Sequence, residues 1–315
     1  MKTLLTKPQI ADFPVKHLSI SAIRNYLTDR QSFFKRYVRL EFDKKESPAL
    51  VEGKGVHAVL EAYWNARKNG KEFNWDETID AQERIISAMD REGRIDWGKS
   101  GDLEKSQKNL RQAVEFYRDA PPAYKEIVSI EDEFISNFED LDGNAIPIPL
   151  KGFCDLIVKD GEDYVIVDHK TVALVKQQDE AAPAFELQAA AYWFLVRKEY
   201  GLNPKRMIFD QIKKTKNRDG SPQIIPYVIE YTPEILLRFL ELYTRIIKEL
   251  AGIPLVDSET GVMQFLPNPF AMFDWEESWQ DFCEEVQSGK EWNLSEIKVI
   301  QENRYSTEGA EALDI

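Results

Sequence analysis

A strand-like apolar run that ends in alternating charges is the feature of this sequence that most constrains its fold. Residues 164–168 read YVIVD, and the run continues into His169 and Lys170. Charged side chains are seldom fully buried unless they are paired or bind a metal. Side chains two residues apart on a strand point to the same face. We therefore expect Asp168 and Lys170 to share one face of a strand, with His169 on the other.

The segment before this strand provides its neighbour. Residues 148–171 read as a strand, a turn built on Asp160-Gly161, and a second strand. Because the turn pairs the two strands antiparallel, Asp155 and Asp168 are expected to approach each other at one side of the sheet. Two carboxylates that converge beside a lysine predict a site for a hard cation such as Mg²⁺, which takes oxygen ligands and keeps several waters. The lysine of such a site could stabilise charge on a phosphate or orient the attacking water.

The remaining segments predict an α/β domain. Apolar periodicity and end signals predict helices from Ser19 or Ser21 onwards and over about 52–70, 76–91, 103–119, 183–200 and 233–252. In the first helix Ile23, Tyr26 and Leu27 are expected on one face. Further strands are predicted over 126–138, 206–212 and 224–231. This order predicts a mixed central β-sheet flanked by helices, with a helical N-terminal elaboration.

We interpret residues 1–315 as one domain. Residues 1–122 are its mainly helical part, 123–250 its α/β catalytic core, and 251–315 an aromatic, acidic C-terminal extension. A chain of 315 residues lies near the upper limit for a single hydrophobic core. Two intimately packed lobes are the alternative.

Bulk charge and composition restrict the classes of function. The net charge is −14, yet residues 205–218 hold six basic residues and a single acid. A second basic cluster contains Lys35 and Arg36. Such clusters are either solvated surface or contacts to a nucleic-acid backbone. No phosphate-binding loop of the Gly-x₄-Gly-Lys type occurs, so a motor acting with this protein would be a separate polypeptide.

Location is predicted from what the sequence lacks. No window approaches the roughly 18 continuous apolar residues of a membrane span, and the N-terminus has no small-residue cleavage site typical of a signal peptide. Two cysteines, Cys154 and Cys283, cannot form a disulfide framework or a closed structural zinc or iron–sulfur site. We expect a cytoplasmic protein without membrane contact.

Other polar residues occur in a fixed order around the strand. His57 lies on an apolar-faced helix, where a histidine is commonly a satisfied core residue. Gln188 and Tyr192 are one helical turn apart and could be a polar edge on a core helix. What carries information is the ordered set of Gly-x₃-His, Gly-x-x-Asp, Asp-x-Lys at a strand end and Gln-x₃-Tyr on the next helix.

That ordered set resembles the PD-(D/E)XK nuclease superfamily, and in particular its RecB-like branch, which includes the CRISPR-associated exonucleases. The resemblance covers about 19–230 and implies a restriction-endonuclease-like fold. The residues that carry it are Gly53, His57, Asp155, Asp168, Lys170, Gln188 and Tyr192.

The resemblance also implies roles for these residues. His57, Asp155, Asp168 and the backbone carbonyl of His169 would bind Mg²⁺ or Mn²⁺. Lys170 would be the catalytic lysine, beside the catalytic acids Asp155 and Asp168. Gln188 and Tyr192 would position the DNA strand or the other active-site residues.

One departure from the family pattern is expected to matter. Many members of the branch hold an iron–sulfur cluster on four cysteines, one near the N-terminus and three near the C-terminus. Here residues 28–31 read TDRQ where the first would fall, and only Cys283 remains near the C-terminus. The cluster is expected to be absent. Aromatic packing by Phe270, Phe273, Trp275 and Trp279 is a hypothesis for what joins the two ends instead.

The resulting expectation is a metal-dependent DNA exonuclease in recombination, repair or replication. DNA is the expected partner, with a separate helicase or recombination protein as a further one. Candidate DNA-binding residues are Lys35, Arg36, Lys213, Lys214, Lys216 and Arg218. The alternatives are a non-catalytic DNA-binding or complex-forming subunit and a metal-dependent hydrolase with another substrate.

Overall fold

The computed structural model describes residues 14–252, apart from 42–44, 100, 141–142 and 218–222, together with the isolated residues 284, 288 and 299. The chain divides into two compact units. The terminal unit comprises Met1–Phe42, Ile135–Gly152 and Leu237–Ile315. The central unit comprises Asp43–Phe134 and Phe153–Leu236.

The helices and strands follow the predicted order, with a two-residue strand at the start and a short second helix that were not predicted. In chain order the described elements are β1 (Leu18–Ser19), α1 (Ile20–Thr28), α2 (Arg30–Phe33), which continues into a π-helical turn (Phe34–Val38), α3 (Pro48–Lys68), α4 (Trp75–Arg91), α5 (Leu103–Asp119), β2 (Glu126–Glu139), β3 (Ala145–Asp160), β4 (Asp163–Val172), α6 (Pro183–Tyr200), β5 (Pro204–Lys213), β6 (Ile224–Glu230) and α7 (Pro233–Gly252). None of the described helices is long and apolar enough to cross a membrane.

Two helix starts show how local chemistry sets the boundaries. Ser19 caps α1 and accepts a hydrogen bond from the Ala22 N–H at 3.1 Å. Helix α3 begins earlier than predicted, because Ser47 is its N-cap and Pro48 occupies the first turn. The expectation for Leu27 is wrong: its side chain is 48% exposed. The buried stripe of α1 passes through Ile23 and Tyr26 and leaves Leu27 on its solvent edge.

The central unit is built on a mixed sheet, which confirms the predicted fold class. The later part of β3 pairs antiparallel with β4, from Leu156↔Val167 to Asp160↔Asp163. Strand β4 is parallel to β5, and β5 is antiparallel to β6. A parallel pair needs a crossover, and α6 provides it between β4 and β5.

Helices cover both faces of this sheet. On one face α3, α4 and α5 bury an apolar cluster to which both helices and strands contribute. The helices provide Val56, Leu60, Trp64, Leu110 and Tyr117, and the strands provide Leu156, Val158, Val165, Val167 and Ile212. On the other face Phe185 of α6 stacks on Phe209 of β5, with ring centroids 4.2 Å apart. The odd-numbered residues of β4 therefore face α3 and α5, whereas Asp168 faces the side of α6.

The terminal unit has its own aromatic core. Strand β1 pairs parallel with the early part of β3 at Leu18↔Leu150. Phe138 stacks on Tyr243 at 4.4 Å, and the Tyr243 hydroxyl donates to the Ile148 carbonyl at 3.0 Å. These contacts bury large rings around the strands of this unit.

The position at which the family resemblance would place the first cysteine lies between α1 and α2. There Asp29 caps α2 by accepting from the Gln31 N–H at 3.1 Å. Arg30 forms two hydrogen bonds to Glu249, at 2.9 and 3.0 Å. Cys283 and the aromatic residues proposed to join the two ends lie outside the described residues.

Candidate metal centre

Three potential metal ligands converge in the central unit. They are His57 of α3, Glu131 of β2 and Asp155 of β3, and one ligand atom from each lies within 4.8 Å of the others. His57 Nδ1 is 3.4 Å from Asp155 Oδ2 and 3.8 Å from Glu131 Oε1. One imidazole and two carboxylates are donors that divalent cations accept in proteins.

Close packing of α3 brings His57 to this place. The buried side chains of Val56, Val59 and Leu60 fix the inner face of the helix and leave His57 partly exposed. A Cβ atom on Gly55 would lie 2.3 Å from Leu110 Cδ1, so glycine permits the close approach of α3 to α5. A Cβ atom on Gly53, the glycine of the sequence motif, would meet Thr171 Oγ1 at 3.4 Å.

The neighbouring strands β3 and β4 position Asp155. The side chain accepts a hydrogen bond from the His169 N–H, with 2.7 Å between nitrogen and Oδ2. This main-chain bond confirms that Asp155 lies beside the Asp168-His169-Lys170 segment, as the hairpin predicted. The bond holds the Asp168–His169 peptide, which adjoins the peptide whose carbonyl, that of His169, was predicted to bind the cation.

Asp168 lies beside this cluster and has partners of its own. Lys170 Nζ is 2.6 Å from Asp168 Oδ2, as expected for two residues on one strand face. Gln188 Nε2 of α6 donates to Asp168 Oδ1 at 2.6 Å. Burial raises the pKa of the Asp168 carboxyl, while the Lys170 ammonium opposes that shift. Asp168, Lys170 and Gln188 therefore form a hydrogen-bonded triad next to the three-donor cluster.

The electrostatics of His57 follow from its neighbours. Burial disfavours the charged imidazolium, but the carboxylates of Asp155 and Glu131 outweigh burial and raise the pKa of His57 to about 9. At neutral pH the imidazole is therefore protonated while no cation is bound. Since a histidine must be in its neutral form to bind a metal, cation binding would release this proton.

Tyr192 is buried one turn beyond Gln188 on α6, on the predicted face. Burial raises the pKa of its hydroxyl well above the usual value, and the nearby Asp168 adds to the shift. The structure thus gathers His57, Asp155, Asp168, Lys170, Gln188 and Tyr192 in one region of the central unit.

Glu131 is the site residue that the sequence reasoning missed. It has a φ of +48°, a left-handed conformation that is costly for a residue with a side chain. Such backbone outliers cluster at functional sites. Along β2 the buried side chains shift from the odd-numbered Ser129 to the even-numbered Phe134, which places the break at Glu131. The run of three acids at 131–133 inside an apolar strand was the available signal.

The predicted DNA-binding lysines of the central unit differ in their surroundings. Lys214 Nζ pairs with the buried Glu52 at 2.7 Å, and its side chain is 13% exposed. Lys213 donates to Asn217, and Lys216 is exposed. Arg218 lies outside the described residues. Lys216 is therefore the most accessible of these three lysines.

The two predicted residues of the terminal unit, Lys35 and Arg36, lie in the π-helical turn after α2. Both are half-buried, and the Arg36 guanidinium lies 5.8 Å from the Tyr37 ring centroid. DNA contact by any of these basic residues stays a prediction.

Comparisons with known proteins give a family match and distant structural likenesses. A family model of the PD-(D/E)XK nuclease superfamily matches residues 17–297. A crystal structure from Eubacterium rectale, described as a "Putative exonuclease", aligns with a TM-score of 0.46 and 12% identity over 75% of this chain and 81% of that chain. The crystal structure of SSO0001 aligns with a TM-score of 0.26 and 11% identity over 72% and 83%. Among curated proteins, none matches this chain by sequence.

Proposed function

The chain belongs to the PD-(D/E)XK nuclease superfamily, and from this premise we propose that it is a metal-dependent DNA exonuclease serving recombination, repair or replication. The family supports phosphodiester hydrolysis with a divalent cation as the general chemistry. The observation that carries the proposal is the convergence of His57, Glu131 and Asp155 beside the Asp168–Lys170 pair.

The residues present fit a divalent cation. The cluster offers two carboxylates and one imidazole within 4.8 Å. The buried Asp168 carboxylate lies beside this cluster, where Lys170 Nζ is 2.6 Å from its Oδ2. Mg²⁺ and Mn²⁺ both accept such oxygen-rich sets, and we propose either as the cofactor.

A bound cation would polarise the phosphate and lower the pKa of water at the site. His57, Glu131 and Asp155 would hold it, with Asp168 and the His169 carbonyl as further ligands. Lys170 is the cationic group of the site, and its side chain is 33% exposed. It can therefore reach a phosphate and stabilise the negative charge that develops there. Gln188 keeps the Asp168 carboxylate in its orientation through the bond to Oδ1.

DNA is the proposed substrate because accessible lysine follows β5 in the same unit. Lys216 is exposed, and Lys213 is half-buried at the strand end. Contacts of this type bind the backbone without regard to sequence, and their affinity falls as salt displaces them. A DNA affinity that ignores ionic strength would argue against the role of these lysines.

The test is degradation of linear and circular DNA by the full-length protein. Wild type is compared with Lys170→Ala in Mg²⁺, in Mn²⁺ and in chelator. We expect metal-dependent loss of linear DNA and a fall of about 100-fold or more in the variant, the usual cost of removing one group that stabilises transition-state charge. Lys159→Ala is the matched control, since Lys159 is a partly buried lysine of β3.

Each other outcome has a distinct meaning. Cleavage of the circle would replace exonuclease with endonuclease action. Folded wild type that binds DNA without cutting it in either metal would overturn the proposal in favour of a non-catalytic DNA-binding subunit. Equal losses in Lys170→Ala and Lys159→Ala would remove Lys170 from the chemistry.

A further inference from the structure

A second buried polar cluster lies on the face of β4 opposite to Asp168. Its centre is Asp210 of β5, which is the register partner of His169. The Tyr124 hydroxyl donates to the two carboxylate oxygens of Asp210, at 3.1 and 3.3 Å. His169 Nδ1 lies 3.6 Å from Asp210 Oδ2, and both side chains are only 3% exposed. A carboxylate this deep needs partners, because an unpaired buried charge is strongly destabilising.

The His169 ring is enclosed by other rings. Tyr117 of α5 packs edge-on against it, with centroids 5.3 Å apart and planes at 83°. His57 approaches to 6.4 Å between centroids. Neither His169 ring nitrogen has a hydrogen-bond partner among the residues that the structure describes. The ring is therefore held by packing and by the carboxylate of Asp210.

The main chain of His169 joins this cluster to the candidate metal centre. Its N–H donates to Asp155 Oδ2 at 2.7 Å, and the same oxygen lies 3.4 Å from His57 Nδ1. A change in the orientation of the His169 ring would turn the adjoining peptides. Such a turn would displace the donor that holds Asp155.

We infer that Asp210, supported by Tyr124, is a positioning residue for the metal centre. By orienting the His169 side chain, Asp210 fixes the peptide that holds the Asp155 carboxylate. The inference rests on the proposed metal-dependent function, but it assigns a role to two residues that touch none of the three clustered ligands. Removal of outer partners of metal ligands typically lowers metal affinity 10- to 100-fold.

The experiment measures Mn²⁺ binding to the full-length protein without DNA, from the electron paramagnetic resonance signal of free Mn²⁺. In Asp210→Leu we expect the dissociation constant to rise about tenfold or more. Asp210→Asn should give a smaller rise, because its amide oxygen still accepts from Tyr124. Tyr124→Phe should also weaken binding, because Asp210 loses its hydroxyl donor.

Tyr243→Phe is the matched control. It removes a buried hydroxyl that donates to the Ile148 carbonyl at 3.0 Å, within the terminal unit. It should cost similar stability to Tyr124→Phe and leave the dissociation constant unchanged. If the role of Tyr124 is purely structural, Tyr124→Phe and Tyr243→Phe should bind Mn²⁺ with equal affinity when compared at the same fraction of folded protein.

The outcomes separate this inference from the proposed function. A cooperatively folded Asp210→Leu variant that binds Mn²⁺ as wild type does would overturn the positioning role. If that variant does not fold, unchanged binding in both Asp210→Asn and Tyr124→Phe has the same consequence. Wild type that binds Mn²⁺ but cuts no DNA would overturn only the nuclease proposal. Wild type that binds no Mn²⁺ would overturn both.

Discussion

The two faces of β4 place similar chemical groups in different surroundings. On one face Asp168 and Lys170 pair at 2.6 Å, and the lysine reaches solvent. On the other face His169 meets Asp210 at 3.6 Å, and neither is accessible. We call these the open face and the closed face. Residues 168, 169 and 170 follow one another in the chain, so strand alternation alone separates the two environments.

The two faces differ in how easily the side chains that hold the aspartate can move. Asp168 is held by the long side chains of Lys170 and Gln188, which can move when a cation or phosphate arrives. Asp210 is held by a tyrosine hydroxyl and a histidine ring within a packed interior, where side chains seldom move. The open face is therefore suited to binding and chemistry, and the closed face to fixing geometry.

After Lys170, the next largest effect is expected at Glu131, which approaches His57 from β2. Glu131→Gln replaces an anionic ligand 3.8 Å from His57 Nδ1 with a neutral one. We expect the Mn²⁺ concentration for half-maximal DNA cleavage to rise at least about tenfold. The measurement is cleavage rate against Mn²⁺ concentration at fixed ionic strength.

The control for this prediction is Glu139→Gln, which removes the same charge from the exposed end of β2. Equal shifts in the two variants would show that total charge, rather than ligation by Glu131, sets the Mn²⁺ requirement. The cluster would then be reduced to His57 and Asp155.

A smaller effect is expected when the Gln188 amide, which contacts Asp168 on the open face, is removed. Gln188→Ala removes the donor that lies 2.6 Å from Asp168 Oδ1. The cleavage rate should fall about tenfold, equivalent to about 1.4 kcal/mol of activation free energy. Gln107→Ala is the control, because its amide is likewise a hydrogen-bond donor, to the Glu83 carbonyl at 2.9 Å and to Ser87 Oγ at 2.8 Å. A rate for Gln188→Ala no lower than that of Gln107→Ala would contradict a role for Gln188 in holding Asp168.

The smallest effect is expected on stability and concerns Tyr117, which packs against His169 on the closed face. Burial raises the pKa of the Tyr117 hydroxyl well above its usual value, and the Asp210 carboxylate adds to the shift. The unfolded chain loses this proton near pH 10. Above that pH the folded state binds more protons, so the free energy of unfolding falls as pH rises, by up to about 1.4 kcal/mol per pH unit for each such tyrosine.

Urea unfolding between about pH 9 and pH 11 measures this slope. In Tyr117→Phe the free energy of unfolding should fall less steeply with pH, because one tyrosine no longer contributes to the slope. Tyr243→Phe should do the same in the terminal unit, where burial raises the pKa of Tyr243 well above its usual value. If Tyr117→Phe leaves the slope unchanged, this hydroxyl ionises in the folded protein. The closed face would then be accessible to water.

Much of the fold could be predicted because its signals are local. Helices α4 and α5 lie within one residue of the predicted 76–91 and 103–119, since apolar periodicity and end signals are carried by each segment itself. The shared face of Asp168 and Lys170 follows from a repeat of two residues along a strand. The approach of Asp155 follows from a short turn that pairs two adjacent strands.

The residues that prediction missed meet their partners only across the fold. Nothing near Glu131 in sequence indicates that it meets His57, because that contact depends on how β2 breaks its alternation beside α3. The ion pair between Lys214 and the buried Glu52 could not be predicted either, because the two residues lie far apart in the chain.

Sequence alone determined which segments form strands and helices, and which charged residues share the open face of β4. Tertiary structure decided that Glu131 joins His57 and Asp155 in the candidate metal centre and that Asp210 lies beside the His169 ring. The physical reason is that hydrogen bonding and periodicity act within a segment, whereas the pairing of buried charges depends on which distant segments pack together.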